Sequence, residues 1–153
     1  MPTKVKIRIY DANDLRVLLD TIYEEKSQVE LAKWALNLAE RMLKIVGYEF
    51  ENNTIIQNGF ATNRQWQAGI ARMHDVRRAG FKVHKIAKEC ENPVKQAALR
   101  VAGQAIGTGH MREHAMVASD YAIKVINLMY PNNMKAVRFE RDLQITSLKL
   151  ITP

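Results

Sequence analysis

Apolar residues recur at steps of three and four along most of this chain, which is the period of an α-helix that buries one face. The clearest example is SQVELAKWALNLAERMLKIVG, residues 27–47. Ser27 and Glu30 have the spacing of a capping box, in which a hydroxyl and a carboxylate accept hydrogen bonds from backbone N–H groups at the start of a helix. Gly47 is of the residue type that commonly ends a helix. The pattern therefore predicts a helix between Ser27 and Gly47.

The same period predicts several further helices. One spans about residues 70–90. The next opens after Asn92, because asparagine is a good N-cap and Pro93 suits the first helical position. The helix after that carries GTGHMREHAMVASDYA, residues 107–122, and ends before Pro131, since proline cannot continue a helix. Shorter helices are expected at residues 11–23, 54–63 and 134–144.

The helix that follows Asn92 presents one face of small residues: Ala98, Ala102, Ala105 and Gly109. Small side chains let a neighbouring helix approach closely, so we expect this helix to be central. The neighbour could belong to the same subunit or to a second copy in a homodimer, and the sequence leaves both open.

The two ends of the chain depart from the helical period. KVKIRIY, residues 4–10, alternates apolar and basic side chains, and ITSLKLIT, residues 145–152, is rich in residues that favour strands. These features allow a small β-ribbon formed by the two termini. No repeat or linker divides the chain. We therefore predict an all-α single domain, residues 1–153, built as a bundle of about six to seven helices.

The composition is that of an ordinary globular protein, with 153 residues, 47% hydrophobic and 25% charged. No apolar run reaches the roughly 18 residues of a transmembrane helix, so no membrane partner is expected. The N-terminal stretch is too charged for a secretion signal. The single cysteine, Cys90, cannot form an internal disulfide. These features favour a cytoplasmic location.

The net charge of +7 allows binding to nucleic acid or to acidic proteins. No RNA-recognition motif, zinc-finger spacing or phosphate-binding loop accompanies it, so a basic nucleic-acid-binding module is an alternative and not the preferred function. The basic residues crowd one side of the 70–90 helix: Arg77, Arg78, Lys82, Lys85 and Lys88. They form either a solvated face or a docking surface for an acidic partner.

His110, Glu113 and His114 spell H-x-x-E-H, the zinc signature of the inverzincin peptidases. If the two histidines bind zinc, His84 on the earlier helix is the best third ligand by residue type, and Glu113 is the base. A small metal-dependent hydrolase is therefore the main alternative function. Zinc is expected only if the protein is such a hydrolase, and otherwise no cofactor is expected.

A helical wheel favours a different role for these histidines. On one continuous helix His110 and His114 lie about 40° apart and share their side with apolar residues and with Tyr121. They then begin an inner face, where they either hydrogen-bond near a helix break or form a non-catalytic contact site with Gln104 and Tyr121 as polar neighbours. The structural role is the preferred interpretation.

Three segments together resemble a known family. They are WALNLAERMLKI (residues 34–45), RQWQAGIARMHDVRRAGFKVHKIAKE (64–89) and AALRVAGQAIGTGHMREHAMVASDYAIKVI (97–126). In this order they are similar to an all-helical family of bacterial immunity proteins, the immunity-family-five-like group of polymorphic toxin systems. The last segment is the most specific. The loop at residues 47–63 lacks the family's usual prolines and acidic residues, a departure that concerns a partner surface more than the fold.

The resemblance implies a helical domain, with its core at about residues 30–127, that binds and neutralises a cognate protein toxin. The positions that match the family motif, as binding or structural residues, are His84, Gly103, Gln104, His110, His114 and Tyr121. Inhibitors of nuclease toxins are usually acidic, so a +7 chain suits a toxin that is acidic or is held by apolar and aromatic contacts. We therefore expect a non-catalytic binding protein.

Overall fold

The computed structural model describes residues 2–153 and contains seven helices there, with no strand. The helices are α1 (Asn13–Glu24), α2 (Gln28–Ile45), α3 (Thr54–Gln67), α4 (Met73–Glu89), α5 (Pro93–Gly107), α6 (His114–Met129) and α7 (Met134–Leu150). The predicted all-α single domain is confirmed. Within the described residues no helix combines the length and the apolar character needed to cross a membrane.

Local capping chemistry explains where several helices begin. The Ser27 hydroxyl accepts a hydrogen bond from the Glu30 backbone N–H at 3.1 Å, and the Ser27 backbone N–H donates to the Glu30 carboxylate at 2.9 Å. This is the predicted capping box at the start of α2. The Asn92 side chain accepts from the backbone N–H groups of Val94 and Lys95, which confirms the predicted start of α5. Asn53 and Asn133 cap α3 and α7 in the same way.

Helix α5 lies at the centre of the bundle and packs against α2, α3, α4 and α6. Ala98, Ala102 and Ala105 are fully buried, as expected for a small-residue face, whereas Gly109 lies in the turn beyond the helix. The backbones of α4 and α5 come very close: a Cβ atom on Gly80 would lie 3.2 Å from the carbonyl oxygen of Gly103. The small residues therefore let α5 contact four neighbours within one subunit.

Residues 145–150 are helical, so the strand-like composition of the C-terminal segment was misleading. Helix α7 continues to Leu150, and Ile145 and Leu148 are buried three residues apart, a helical spacing. The Trp34 indole N–H of α2 donates to the Gln144 carbonyl at 3.1 Å and to the Ser147 hydroxyl at 3.0 Å. Tertiary packing on α2 therefore outweighs the β-propensity of this segment.

The N-terminal segment forms no strand and has a bend at Ile7, so a terminal β-ribbon is absent from the described residues. The Asn127 amide on α6 provides the pairing that a neighbouring strand would give. It accepts from the Tyr10 backbone N–H at 2.8 Å and donates to the Tyr10 carbonyl at 2.9 Å. Ile7 and Ile9 are partly buried while Lys6 and Arg8 are exposed. The alternation is therefore reflected in burial only at Ile7 and Ile9, which lie against the bundle, whereas Val5 is exposed.

A buried network of charged groups joins the two ends of the chain to α6. The guanidinium of Arg141 on α7 donates to Asp11 at 3.0 and 2.7 Å and to Asp120 at 2.8 Å. Arg16 on α1 donates to both carboxylate oxygens of Asp120, at 2.9 and 3.1 Å. The partners lie 21 to 130 positions apart along the chain, so no local pattern indicates the network.

Candidate functional site

The H-x-x-E-H residues do not lie on one helix, which corrects the helical-wheel interpretation. Helix α5 ends at Gly107, residues 108–113 form turns, and α6 begins at His114. The Gly107 carbonyl accepts from the backbone N–H groups of His110 and Met111, at 2.8 and 3.0 Å, which closes a tight turn. The two imidazoles nevertheless meet, with ring centroids 5.7 Å apart in a stacked arrangement.

Three histidines from three parts of the chain converge on one small cavity between α4, α5 and the start of α6. Its volume is about 30 Å³, and its lining includes His84, His110, His114 and Gly103. Gly103 is required here, because a Cβ atom would lie 2.6 Å from the His84 ring. A space of this size holds about one water molecule. Tyr121 is not part of the lining and packs against the core instead.

Gln104 links two of these histidines. Its amide lies 2.7 Å from Nδ1 of His114 and 3.4 Å from Nε2 of His84, and Nδ1 of His84 lies 3.1 Å from the Arg100 guanidinium. Since arginine can only donate, Nδ1 of His84 accepts and its ring proton is on Nε2. The Gln104 amide nitrogen faces Nε2 of His84 and its oxygen faces Nδ1 of His114. Because a protonated Nε2 cannot accept, the paired arrangement has this amide turned over, so that its oxygen accepts from His84 and its NH₂ group donates to His114. Both nitrogens of His84 then have protein partners.

The surroundings of the histidines favour neutral rings. Burial lowers the pKa of His84 to about 4, helped by the positive Arg100 guanidinium and by His114. Burial also lowers the pKa of His114, and the nearby His110 and Lys6 act in the same direction, opposed by Glu113. At neutral pH both rings are therefore uncharged members of a hydrogen-bonded cluster.

These pKa shifts predict a pH-dependent stability. An unfolded histidine takes up its proton near pH 6.5, whereas folded His84 resists protonation down to about pH 4. The unfolded state therefore binds more protons as the pH falls through this window, and stability declines there. We expect the free energy of unfolding to be about 1–2 kcal/mol lower at about pH 5 than at about pH 7.5, after allowing for solvent screening. Urea unfolding at the two pH values measures the difference.

The control for this prediction is on the same helix. His74 is exposed on α4, so His74→Asn is expected to keep the pH dependence, whereas His84→Asn is expected to reduce it. An equal pH dependence in all three proteins would show that His84 is not the responsible group.

The histidine cluster does not fit a zinc ion. Both ring nitrogens of His84 face protein groups, so this residue has no free lone pair for a metal. Glu113, the suggested base, is half-exposed and lies 3.9 Å from the Lys6 ammonium. Within residues 2–153 no group of three His, Cys, Asp or Glu side chains is arranged to hold a metal. The chemistry of these donors therefore gives the hydrolase alternative no support.

The basic residues predicted on the 70–90 helix all lie on the exposed side of α4: Arg77, Arg78, Lys82, Lys85 and Lys88. None of them forms an ion pair in the described part of the chain. In their midst Phe81 is 55% exposed, and the Arg77 guanidinium lies 4.7 Å from the centroid of its ring. Arg77 and Phe81 also border the histidine cavity. We call these six residues the α4 face.

A larger groove lies elsewhere, between α2, α7 and the end of α6. Its volume is about 480 Å³, and Ile45, Tyr130 and Phe139 are among its lining residues. Phe139 is 67% exposed, and the Arg41–Glu140 ion pair borders the groove. This groove was not predicted, because its lining combines residues 41–45 of α2 with residues 126–143, which are distant in the sequence. A signal was available in the outward apolar spacing of Phe139 and Leu143 on α7.

These features define a small all-α domain whose histidine cluster is hydrogen-bonded internally and whose most basic helix face is open to solvent. The chain belongs to the family described as "Imm-5 like putative immunity protein", whose model matches residues 21–150. The resemblance noted from the three segments is confirmed, and the match extends beyond residues 30–127 at both ends. Among curated proteins and solved structures, none matches this chain.

Proposed function

We propose that this protein is a non-catalytic, cytoplasmic immunity protein that binds and neutralises a cognate bacterial toxin. The observation that carries the proposal is the family match over residues 21–150. The family name describes immunity in general, and the toxin partner is the step that we add to it.

The small cavity and the internal hydrogen bonds of the histidine cluster support a binding role over a catalytic one. Catalytic sites usually present reactive groups in a cleft large enough for a substrate. Here the histidines border a cavity of about 30 Å³, and the hydrogen bonds of the His84 and His114 rings run to Arg100 and Gln104 of the same chain. We infer that the family-motif residues His84, Gly103, Gln104, His110 and His114 join α4, α5 and α6, and that recognition takes place on the outer surface.

The direct test is protection of growing cells. The toxin encoded beside this gene is expressed in a sensitive host with or without the protein, and we expect co-expression to restore growth. An inactivated form of the toxin should also co-purify with the protein as a stable complex. Absence of both rescue and complex would contradict the proposal.

The hydrolase alternative is tested on the same protein preparations. Purified protein is expected to contain no stoichiometric zinc, and the His110→Ala/His114→Ala double variant should have the same metal content as the unaltered chain. About one zinc per chain, lost in the double variant, would instead favour metal-dependent hydrolysis.

A further inference from the structure

We propose that the α4 face is the surface that docks the toxin, and that it fits an acidic patch on that partner. This inference rests on the proposed function and adds to it the binding surface and the chemistry of the partner. It is carried by the unpaired charge of the face, by the exposed aromatic ring at its centre and by the rigid support beneath it.

The charge of the α4 face is concentrated and uncompensated. Residues 77–88 contain five cationic side chains and no carboxylate, and a helical segment of this length spans about 16 Å. Several of the cations, such as Arg78 and Lys82, are one helical turn apart, where like charges repel. Other arginines of this chain are paired: Arg16 and Arg141 with Asp120, and Arg138 with Asp14. A partner with carboxylates would relieve a repulsion that the free protein does not relieve itself.

Phe81 gives the α4 face an apolar centre. An exposed aromatic ring beside an arginine, surrounded by more flexible charged residues, is the composition typical of interface hot spots. The Arg77 guanidinium over the ring keeps both side chains together before binding. A partner surface that covers Phe81 would bury apolar area at the middle while its acidic groups meet Lys82 and Lys85 at the rim.

The support beneath the face is rigid. On the inner side of α4, Val76, Val83 and Ala87 are fully buried, and Gly80 brings the α4 backbone against α5. Side chains on a packed helix keep their positions better than those on a loop, so little ordering is required at the moment of binding.

An acidic protein fits this face better than a nucleic acid does. Two carboxylates, Glu89 and Glu91, follow the cationic stretch directly, whereas Asp75 before it is already paired with Arg72. Glu89 and Glu91 would repel a phosphate backbone that continues past about 16 Å, whereas a finite acidic patch ends where the cations end. A single exposed ring also gives a nucleic acid only one stacking position.

The test compares charge reversals on two surfaces of the protein. The probe is the inactivated toxin encoded beside the gene, and its affinity is measured by calorimetry for Lys82→Glu/Lys85→Glu, for Phe81→Ala and for Lys4→Glu/Lys135→Glu. Lys4→Glu/Lys135→Glu changes the net charge by the same amount as Lys82→Glu/Lys85→Glu, but at exposed positions outside the α4 face. Lys135 also borders the large groove. Thermal melting of each variant verifies that it is folded.

We expect the α4 reversal to weaken binding by about 100-fold or more and to abolish rescue, because close charge pairs across an interface become repulsive. Phe81→Ala should weaken binding by about 10-fold or more, and the control reversal should stay within about 3-fold of the unaltered protein. Binding by the unaltered protein should also weaken with salt.

Different outcomes separate the two proposals. If the unaltered protein rescues cells and the α4 variants bind and rescue equally well, the docking surface is wrong and the proposed function stands. If the control reversal alone disrupts binding, the docking surface lies on the side of Lys4 or Lys135 and the α4 face is wrong. If the unaltered protein neither binds nor rescues, both proposals fail. Tight binding of a DNA duplex of about 20 base pairs, lost in the α4 reversal, would favour the nucleic-acid alternative.

Discussion

Arg141→Met is expected to lower the free energy of unfolding by about 3–5 kcal/mol, which is the usual cost of removing one partner of a buried ion pair. The Arg141 side chain is fully buried, and it holds both carboxylate oxygens of Asp11. Methionine has a similar length but donates no hydrogen bond. Asp11 would then keep only its contact to the Ala12 backbone N–H, as a nearly buried carboxylate without a counter-charge. Urea unfolding at neutral pH measures the loss.

The matched control for this variant is Arg138→Met. Arg138 lies one turn earlier on α7 and also donates to both oxygens of a carboxylate, that of Asp14, at 2.9 and 3.0 Å. The side chains of Arg138 and Asp14 are both exposed to solvent, so we expect Arg138→Met to cause little measurable change in the free energy of unfolding. If Arg141→Met lowered the free energy of unfolding no more than Arg138→Met does, the buried network would contribute no more to stability than a surface ion pair.

Gly103→Ala is expected to lower the free energy of unfolding by about 1–3 kcal/mol, even though alanine is the better helix former by about 1 kcal/mol. The added Cβ atom would lie 2.6, 2.7 and 2.8 Å from three atoms of the His84 ring. That ring cannot easily move aside, because Arg100 and Gln104 contact its two nitrogens. Urea unfolding of the variant measures the cost.

The role of the His84 ring in this cost can be isolated by a double-mutant cycle. In a His84→Ala background the obstructing ring is gone, so Gly103→Ala should become neutral or stabilising by up to about 1 kcal/mol. An equal cost in both backgrounds would show that another contact, and not the imidazole, requires glycine at this position.

The helices were largely predictable from the sequence because their signals are local. The Ser27–Glu30 capping box and the Asn92-Pro93 start depend on residues that are three positions apart or fewer, and the structure has both. The central position of α5 followed from its small residues, since only such a face allows four close neighbours. The location of the basic residues on one side of α4 followed equally from the helical period.

The candidate site was only partly predictable. His84, Gln104 and His114 were predicted as site residues and do come together, whereas Tyr121, predicted with them, does not line the cavity. His110 and His114 were predicted to lie on one helix, whereas a turn that closes on Gly107 separates His110 from α6. The error arose because the helical period continues through the residues of the turn.

The two ends of the chain show most clearly which features depend on the local sequence and which depend on long-range contacts. Residues 145–150 have the composition of a strand, but packing on Trp34 makes them helical. The residues before α1 have the alternation of a strand, but Asn127 takes the place of the missing neighbour. Local patterns were sufficient for helix caps, buried faces and the basic surface, because these depend on residues within a few positions of one another. The buried charges, the histidine contacts and the conformation of both termini depend on partners brought together only when the bundle closes.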